Sequence, residues 1–150
     1  MRTHRATVSL GSNVEPRAES LAGALAALVA LPGTRLVAES PVIETEPVDV
    51  PAAYVDLRFL NQVAVLETAL GPLEFSRRMH AIEDDLGRVR TVRNGPRTID
   101  IDLIDFDGMT LRSPWLVLPH PRAHLRQFVQ FPLRSLLTKV PACHFQSVMV

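Results

Sequence analysis

Two opposite blocks of charge lie back to back between positions 88 and 107. Arg88, Arg90, Arg93 and Arg97 fall in ten residues that hold no acid. Asp100, Asp102, Asp105 and Asp107 follow in eight residues that hold no base. On an extended strand Ile99, Ile101 and Leu103 point to one face and Asp100 and Asp102 to the other, with successive same-face Cα atoms roughly 6.5 to 7 Å apart. Two carboxylates that close repel each other unless a cation lies between them. Mg2+ is bound through one or two carboxylates plus substrate phosphates, and guanidinium groups suit phosphate because their fork of donors is planar and always charged. Carboxylates for Mg2+ beside arginines for phosphate are an arrangement for phosphoryl transfer, where catalysis is mostly positioning and charge neutralisation. The competing reading is a solvated strand face beside a basic loop, joined by ordinary surface ion pairs. Neither GxxxxGK(S/T) nor GxGxxG occurs, so a nucleotide would be held by other means.

Other residues carry weaker signals. His120 and His124 stand four apart and, with Asp100 and Asp102, could build a metallohydrolase site, but Pro121 argues against one helix presenting both. Asn61 on an apolar strand reads first as a satisfied polar group, Phe59 and Phe128 as core, and Gly11-Ser12-Asn13 as a turn. From residue types and spacing alone, the reading ends at Mg2+-dependent phosphoryl transfer with no substrate.

These residues need elements to hold them. Ala6 to Leu10 is a short strand that ends at the turn Gly11-Ser12-Asn13, and Pro16 opens a helix running to about Leu31. Leu36 to Thr45 reads as a second strand, interrupted by Pro41 as an edge strand or bulge would be. Glu46 to Arg58 holds two prolines without a clear period and reads as a loop, expected to be mobile. Phe59 to Glu67 is a third strand. Pro72 opens a helix with Leu73, Met79, Ile82 and Leu86 at helical spacing, stopped by Gly87. Ile99 to Phe106 alternates apolar and acidic residues as a half-buried strand does. A hairpin over Gly108 to Leu118 follows, then a last helix over Phe128 to Leu137 that Pro132 breaks early. The order is strand, helix, strand, strand, helix, strand, with a C-terminal extension. It predicts an α/β (α+β) ferredoxin-like β-α-β-β-α-β sandwich with its antiparallel sheet covered on one face by helices.

Composition narrows the alternatives. The chain has 150 residues, 47% apolar and 21% charged, a globular balance that predicts one domain over residues 1–150. Its 16 basic and 16 acidic residues cancel, so no whole-protein field draws nucleic acid or an anionic membrane. A ferredoxin-like module that binds RNA on its sheet would carry a basic face and sheet aromatics; aromatics here are 5%. Cys143 is the only cysteine, which excludes a disulfide framework and fits a cytoplasmic protein. The apolar run Leu21 to Leu31 is too short for a bilayer, which needs about 20 residues, and Glu15 and Glu19 before it argue against a secretory signal.

The stretch from Gly87 to Asp102 (GRVRTVRNGPRTIDID) resembles the signature of the 6-hydroxymethyl-7,8-dihydropterin pyrophosphokinase family of folate biosynthesis. Leu10-Gly11-Ser12-Asn13, Glu44-Thr45-Glu46-Pro47, Phe59-Leu60-Asn61, Ile82-Glu83 and Pro119-His120-Pro121-Arg122 with Arg126 and Phe128 match in the same order, so that the resemblance covers roughly residues 6–135. It implies the same ferredoxin-like fold and transfer of pyrophosphate from ATP to the pterin's hydroxymethyl group, releasing AMP. It implies two Mg2+ ions held by Asp100 and Asp102, which also count as catalytic together with Arg88 and Arg97. It assigns Arg88, Arg97, His120 and Arg126 to the ATP phosphates, with Arg90 and Glu83 lining the same region. Asn61 and Thr45 take the pterin's polar edge, and Phe59 and Phe128 the two walls between which the ring stacks. Expected partners are ATP and the pterin, with no nucleic acid or membrane, and the protein is expected to be a monomer.

The chain departs from the family pattern at several positions. Asp49 to Arg58 is longer and more apolar than the usual mobile loop, Asn94 stands where some members carry a tryptophan, and His80 replaces a common glutamine. Leu125 replaces a common acidic residue, Trp115 an arginine, and His144 to Val150 matches nothing in the family pattern. These changes keep open a paralogue with a changed acceptor.

Overall fold

The computed structural model describes residues 2–46, 52–54, 57–87, 98–141 and 148–149. Its centre is β1 (His4–Ser12), flanked on one side by β4 (Phe59–Thr68) and on the other by β5 (Asp100–Phe106). Beyond β4 lies β2 (Thr34–Glu39), which gives the order β2-β4-β1-β5, and β3 (Ile43–Thr45) pairs with the other end of β4. All these pairings are antiparallel. The helices α1 (Arg17–Val29) and α2 (Pro72–Asp85) complete the expected β-α-β-β-α-β frame. The single strand expected over Leu36 to Thr45 is in fact β2 and β3, with Pro41 in the break between them; proline has no N–H to give to a ladder.

Gly11 and Ser12 belong to β1, not to a turn: they pair with Asn61 and Leu60 of β4. Apolar residues of α1 recur at Leu21, Ala24, Leu25 and Leu28, all buried, the stripe an amphipathic helix turns to a core. In α2 the buried stripe is Phe75, Met79 and Ile82, whereas Leu73, in the first turn, is exposed. Gly87 ends α2 with φ +84° and its N–H on the Asp84 carbonyl, the left-handed stop that favours glycine. No helix among the described residues is long and apolar enough to cross a membrane.

The sheet has a core on each face. Ala6, Val8, Leu10, Ile101, Leu103 and Phe106 meet α1 and α2 on one side. Val63, Val65 and Ile104 meet α3 (Gln127–Ser135) and Leu136 on the other. The expectation of helices on one face alone is therefore corrected. Its cause is that α3 does not break at Pro132. Pro132, Val129 and Leu133 are buried together, so packing carries the helix past the roughly 3 kcal/mol that an interior proline costs. The hairpin is present as β6 (Leu111–Arg112) and β7 (Val117–Leu118).

Strict alternation in β5 also fails, at one point. The ladder with β1 shifts between Thr7 and Val8, which face Asp105 and Leu103, so Ile104 is the extra residue of a bulge. Ile104 consequently joins the α3-side core, Asp105 falls in register with Thr7, and Phe106 returns to the α1–α2 core.

Candidate active site

Three neighbouring rows of the sheet gather the polar residues. Ile43, Asn61, Gly11 and Asp100 are register partners in succession across β3, β4, β1 and β5. One row outward Thr45 faces Phe59, and one row inward Ser9 faces Asp102. Direct register partners project from the same face, here the one on which α3 packs. Residues from the turn Ala123–Leu125 and from the start of α3 close over them, leaving a cavity of about 730 Å3 lined by Thr45, Phe59, Asn61, Asp100, Asp102, Arg126 and Phe128. One aromatic ring thus comes from the sheet and the other from the helix above it. Exposed Leu125 and Phe131 stand at its mouth.

Gly11 makes room for this arrangement. A Cβ there would lie 2.9 Å from Asn61 Oδ1 and 3.5 Å from a ring carbon of Phe59. Buried Asn61 donates from Nδ2 to Thr45 Oγ1, so that its orientation is fixed and Oδ1 lies over Gly11. Neither Gly11 nor Ser9, which also lines the cavity, was marked by residue type. The available signal was parity: they alternate along β1 with the buried Val8 and Leu10.

The charges divide by place. Asp100 and Asp102 are half-buried and face the cavity. Asp105 is buried and accepts the Gly108 N–H at 3.2 Å. Asp107 pairs with His4 Nδ1 at 2.6 Å and accepts the Arg5 N–H at 2.7 Å. Only the first two of the four aspartates are therefore presented to a ligand in this cavity. Arg126 joins them to the aromatic wall: its Nη1 lies 3.5 Å from Asp102 Oδ2 and its guanidinium 5.4 Å from the Phe128 ring centre, within cation–π range. At the rim, Arg17 and Arg58 both reach Glu44, and Arg58 pairs with Glu46 at 3.2 Å.

His120 does not line the cavity. Its N–H donates to the Ile104 carbonyl at 2.9 Å on the outer edge of β5, and its Nδ1 accepts the Arg122 N–H at 3.1 Å. Burial, then the charges of Arg126 and Arg122, push its pKa from 6.5 down to about 4. At neutral pH the ring is uncharged, and because Nδ1 is an acceptor the proton sits on Nε2. Glu83 also stays out of the cavity: it is buried, accepts the Ile101 N–H at 2.8 Å and lies 2.8 Å from His80 Nδ1. Arg88, Arg90 and Arg97 lie outside the described residues, as does most of the expected mobile loop. Among the described residues no three His, Cys, Asp or Glu side chains gather as a metal cage, so His120 and His124 do not form the metallohydrolase set with Asp100 and Asp102.

Residues 7–138 match the family model described as 7,8-dihydro-6-hydroxymethylpterin-pyrophosphokinase. The 2-amino-4-hydroxy-6-hydroxymethyldihydropteridine pyrophosphokinase of Pseudomonas aeruginosa is 44% identical over 132 residues, which cover 88% of this chain and 80% of that protein. The enzyme of the same name from Bacillus subtilis is 37% identical over 136 residues, 90% of this chain and 79% of that protein. A crystal structure of an HPPK-DHPS in complex with substrates superposes with a TM-score of 0.70 at 12% identity, covering 98% of this chain and 42% of that one. At that identity the likeness is one of fold.

Proposed function

Since the chain belongs to the 7,8-dihydro-6-hydroxymethylpterin-pyrophosphokinase family, we propose that the cavity between β4, β5 and α3 is where its two substrates meet. The protein transfers pyrophosphate from ATP to 6-hydroxymethyl-7,8-dihydropterin in folate biosynthesis. The observation that carries the assignment of the site is the shared lining: the carboxylates of Asp100 and Asp102 face the same space as Phe59, Asn61 and Phe128.

The pterin ring stacks between Phe59 and Phe128, where two apolar faces offer a flat heteroaromatic more than water does. Asn61 Oδ1 and the groups around Thr45 meet its polar edge. With one of its two N–H donors on Thr45, Asn61 still presents its Oδ1 acceptor, the complement of a ring amino or N–H group. The hydroxymethyl arm then extends along the sheet toward Asp100 and Asp102.

Two half-buried carboxylates on one strand face, with no further protein ligand among the described residues, fit Mg2+ ions that take their remaining ligands from phosphates and water. When bound, such ions neutralise phosphate charge and line up the attacking and leaving oxygens. Arg126 lies between Asp102 and Phe128 and supplies a fixed positive charge to the phosphates. His120 supplies a neutral Nε2–H donor in a field made positive by Arg122 and Arg126. Arg88, Arg90 and Arg97 are assigned by resemblance to the same phosphates. The pterin hydroxyl oxygen forms a bond to the β-phosphorus and gives up its proton to solvent, the bond from that phosphorus to the α,β-bridging oxygen breaks, and AMP leaves. The protein's partners are ATP and the pterin, and it works as a cytoplasmic monomer.

The test is one assay with ATP, Mg2+ and 6-hydroxymethyl-7,8-dihydropterin, with the nucleotide product identified. AMP in equal amount to pterin diphosphate is expected, with loss of turnover on chelation. ADP, or turnover that survives chelation of divalent ions, would overturn it.

A further inference from the structure

Among the described residues strand β5 is the last in the sheet order, and no described strand pairs with the N–H groups of its outer edge. At that edge the Ile101 N–H donates to Glu83 Oε2 at 2.8 Å. Ile101 stands between Asp100 and Asp102, and the N–H belongs to the peptide that joins Asp100 to Ile101. Glu83 is 0% exposed on the buried stripe of α2, and its other oxygen lies 2.8 Å from His80 Nδ1, one turn back on the helix. A carboxylate is among the costliest groups to bury and is kept inside only when its oxygens are occupied. This one reaches the strand from the α2 side, while the aspartate side chains leave it on the α3 side and line the cavity without Glu83.

We infer that Glu83 is a positioning residue for the transfer reaction: through the Ile101 N–H it sets the spacing and aim of the Asp100 and Asp102 carboxylates, and it touches neither substrate. The inference rests on the functional reading above for the reaction that it serves. An edge strand without this latch exchanges its N–H with solvent and twists about the peptide that fixes both carboxylates. Groups that orient metal ligands from behind typically cost about 10- to 100-fold in metal affinity or activity when removed.

Reach, not charge, is the property to vary. Glu83→Gln keeps an acceptor for Ile101, and its NH2 group can donate to His80 Nδ1 in the other ring tautomer. Glu83→Asp keeps the charge and falls one methylene short. Three readouts serve: exchange of the Ile101 amide by NMR in the ligand-free protein, Mn2+ binding by electron paramagnetic resonance with α,β-methylene-ATP present, and kcat against KM for each substrate. In Glu83→Gln the Ile101 amide stays protected and Mn2+ affinity and kcat stay near those of the parent. In Glu83→Asp the amide exchanges faster, and Mn2+ affinity and kcat each fall about tenfold or more, with KM for the pterin unchanged. If Glu83→Asp does not fold, Glu83→Met, which fills the same space and offers no acceptor, replaces it with the same expectation. Equal damage in Glu83→Gln and Glu83→Asp would overturn the inference, as would a Glu83→Asp protein whose only defect is a raised KM for ATP. If the parent makes no AMP yet the exchange and Mn2+ results follow this pattern, the functional reading falls and the positioning role stands.

Discussion

Gly11 and Asn61 are register partners on β1 and β4, and the amide oxygen of Asn61 lies 2.9 Å from the place where a side chain on Gly11 would begin. Gly11→Ala should therefore push the Asn61 amide off Thr45 and away from the orientation proposed to meet the pterin. Pterin affinity should fall by about 1 to 3 kcal/mol, the usual loss when a buried polar pair is disturbed. Binding of a non-hydrolysable ATP analogue should be unchanged by calorimetry. Equal pterin affinity in parent and variant would remove Asn61 from the ring's polar edge.

Phe128 forms one wall of the cavity from α3. Truncation by Phe128→Ala should weaken pterin binding by about 1 to 3 kcal/mol, the range found for stacking of bases on aromatic side chains. Nucleotide affinity without pterin should hold. Parallel loss of both affinities with a lower Tm would show that the ring serves only as core.

Asp102 faces Asp100 along β5 and has Arg126 at 3.5 Å. Both carboxylates are half-buried, so removing one charge costs the metal-free fold little. Asp102→Asn should nearly keep its Tm, because relief of the repulsion between like charges offsets loss of the half-exposed contact with Arg126. Its kcat should nevertheless fall by several kcal/mol of transition-state stabilisation, with each roughly 1.4 kcal/mol counting tenfold. A folded Asp102→Asn protein with near-normal turnover would defeat the proposed mechanism.

His120 supplies a pH signature. Folding lowers its pKa from 6.5 to about 4 through burial and the charges of Arg126 and Arg122. Between those values the unfolded chain binds more protons than the folded one, so stability falls as the pH drops through that window. Parent Tm should drop from pH 7 to pH 5 more steeply than that of His120→Gln. An ATP analogue that brings phosphate beside the ring should raise the His120 pKa, read by NMR. Parallel pH slopes together with an unmoved pKa would take the histidine out of the phosphate field.

The frame of the fold was legible because it depends on local signals. Pro72 and Gly87 bracket α2, Leu21 to Leu28 mark the face of α1, and Asp100 with Asp102 already declare a polar face of β5. The parts that were not legible depend on partners distant in sequence. The bulge at Ile104 exists only in the ladder with Thr7 and Val8. Helix α3 passes Pro132 because Val129 and Leu133 are buried beside it against residues of β4. Gly11 reads as a turn residue until β4 lies along it. Glu83 carries no sign, in its own helix, of an acceptor role toward a strand 18 residues away. The resemblance supplied the aromatic and histidine assignments, which neither residue type nor spacing marked.

The Glu46–Arg58 ion pair has a consequence for how this family of chains can change in length. These two residues stand at the end of β3 and just before β4, and their side chains meet at 3.2 Å. The two ends of the intervening segment are therefore tied by one exposed contact. Inserted residues there do not shift the register of β3 on β4; they only enlarge a closed ring. Chain statistics make that cheap, about 0.6 kcal/mol for each doubling of the ring. Variation in length between Glu46 and Arg58 is thus a change that the pairing of β3 with β4 scarcely feels.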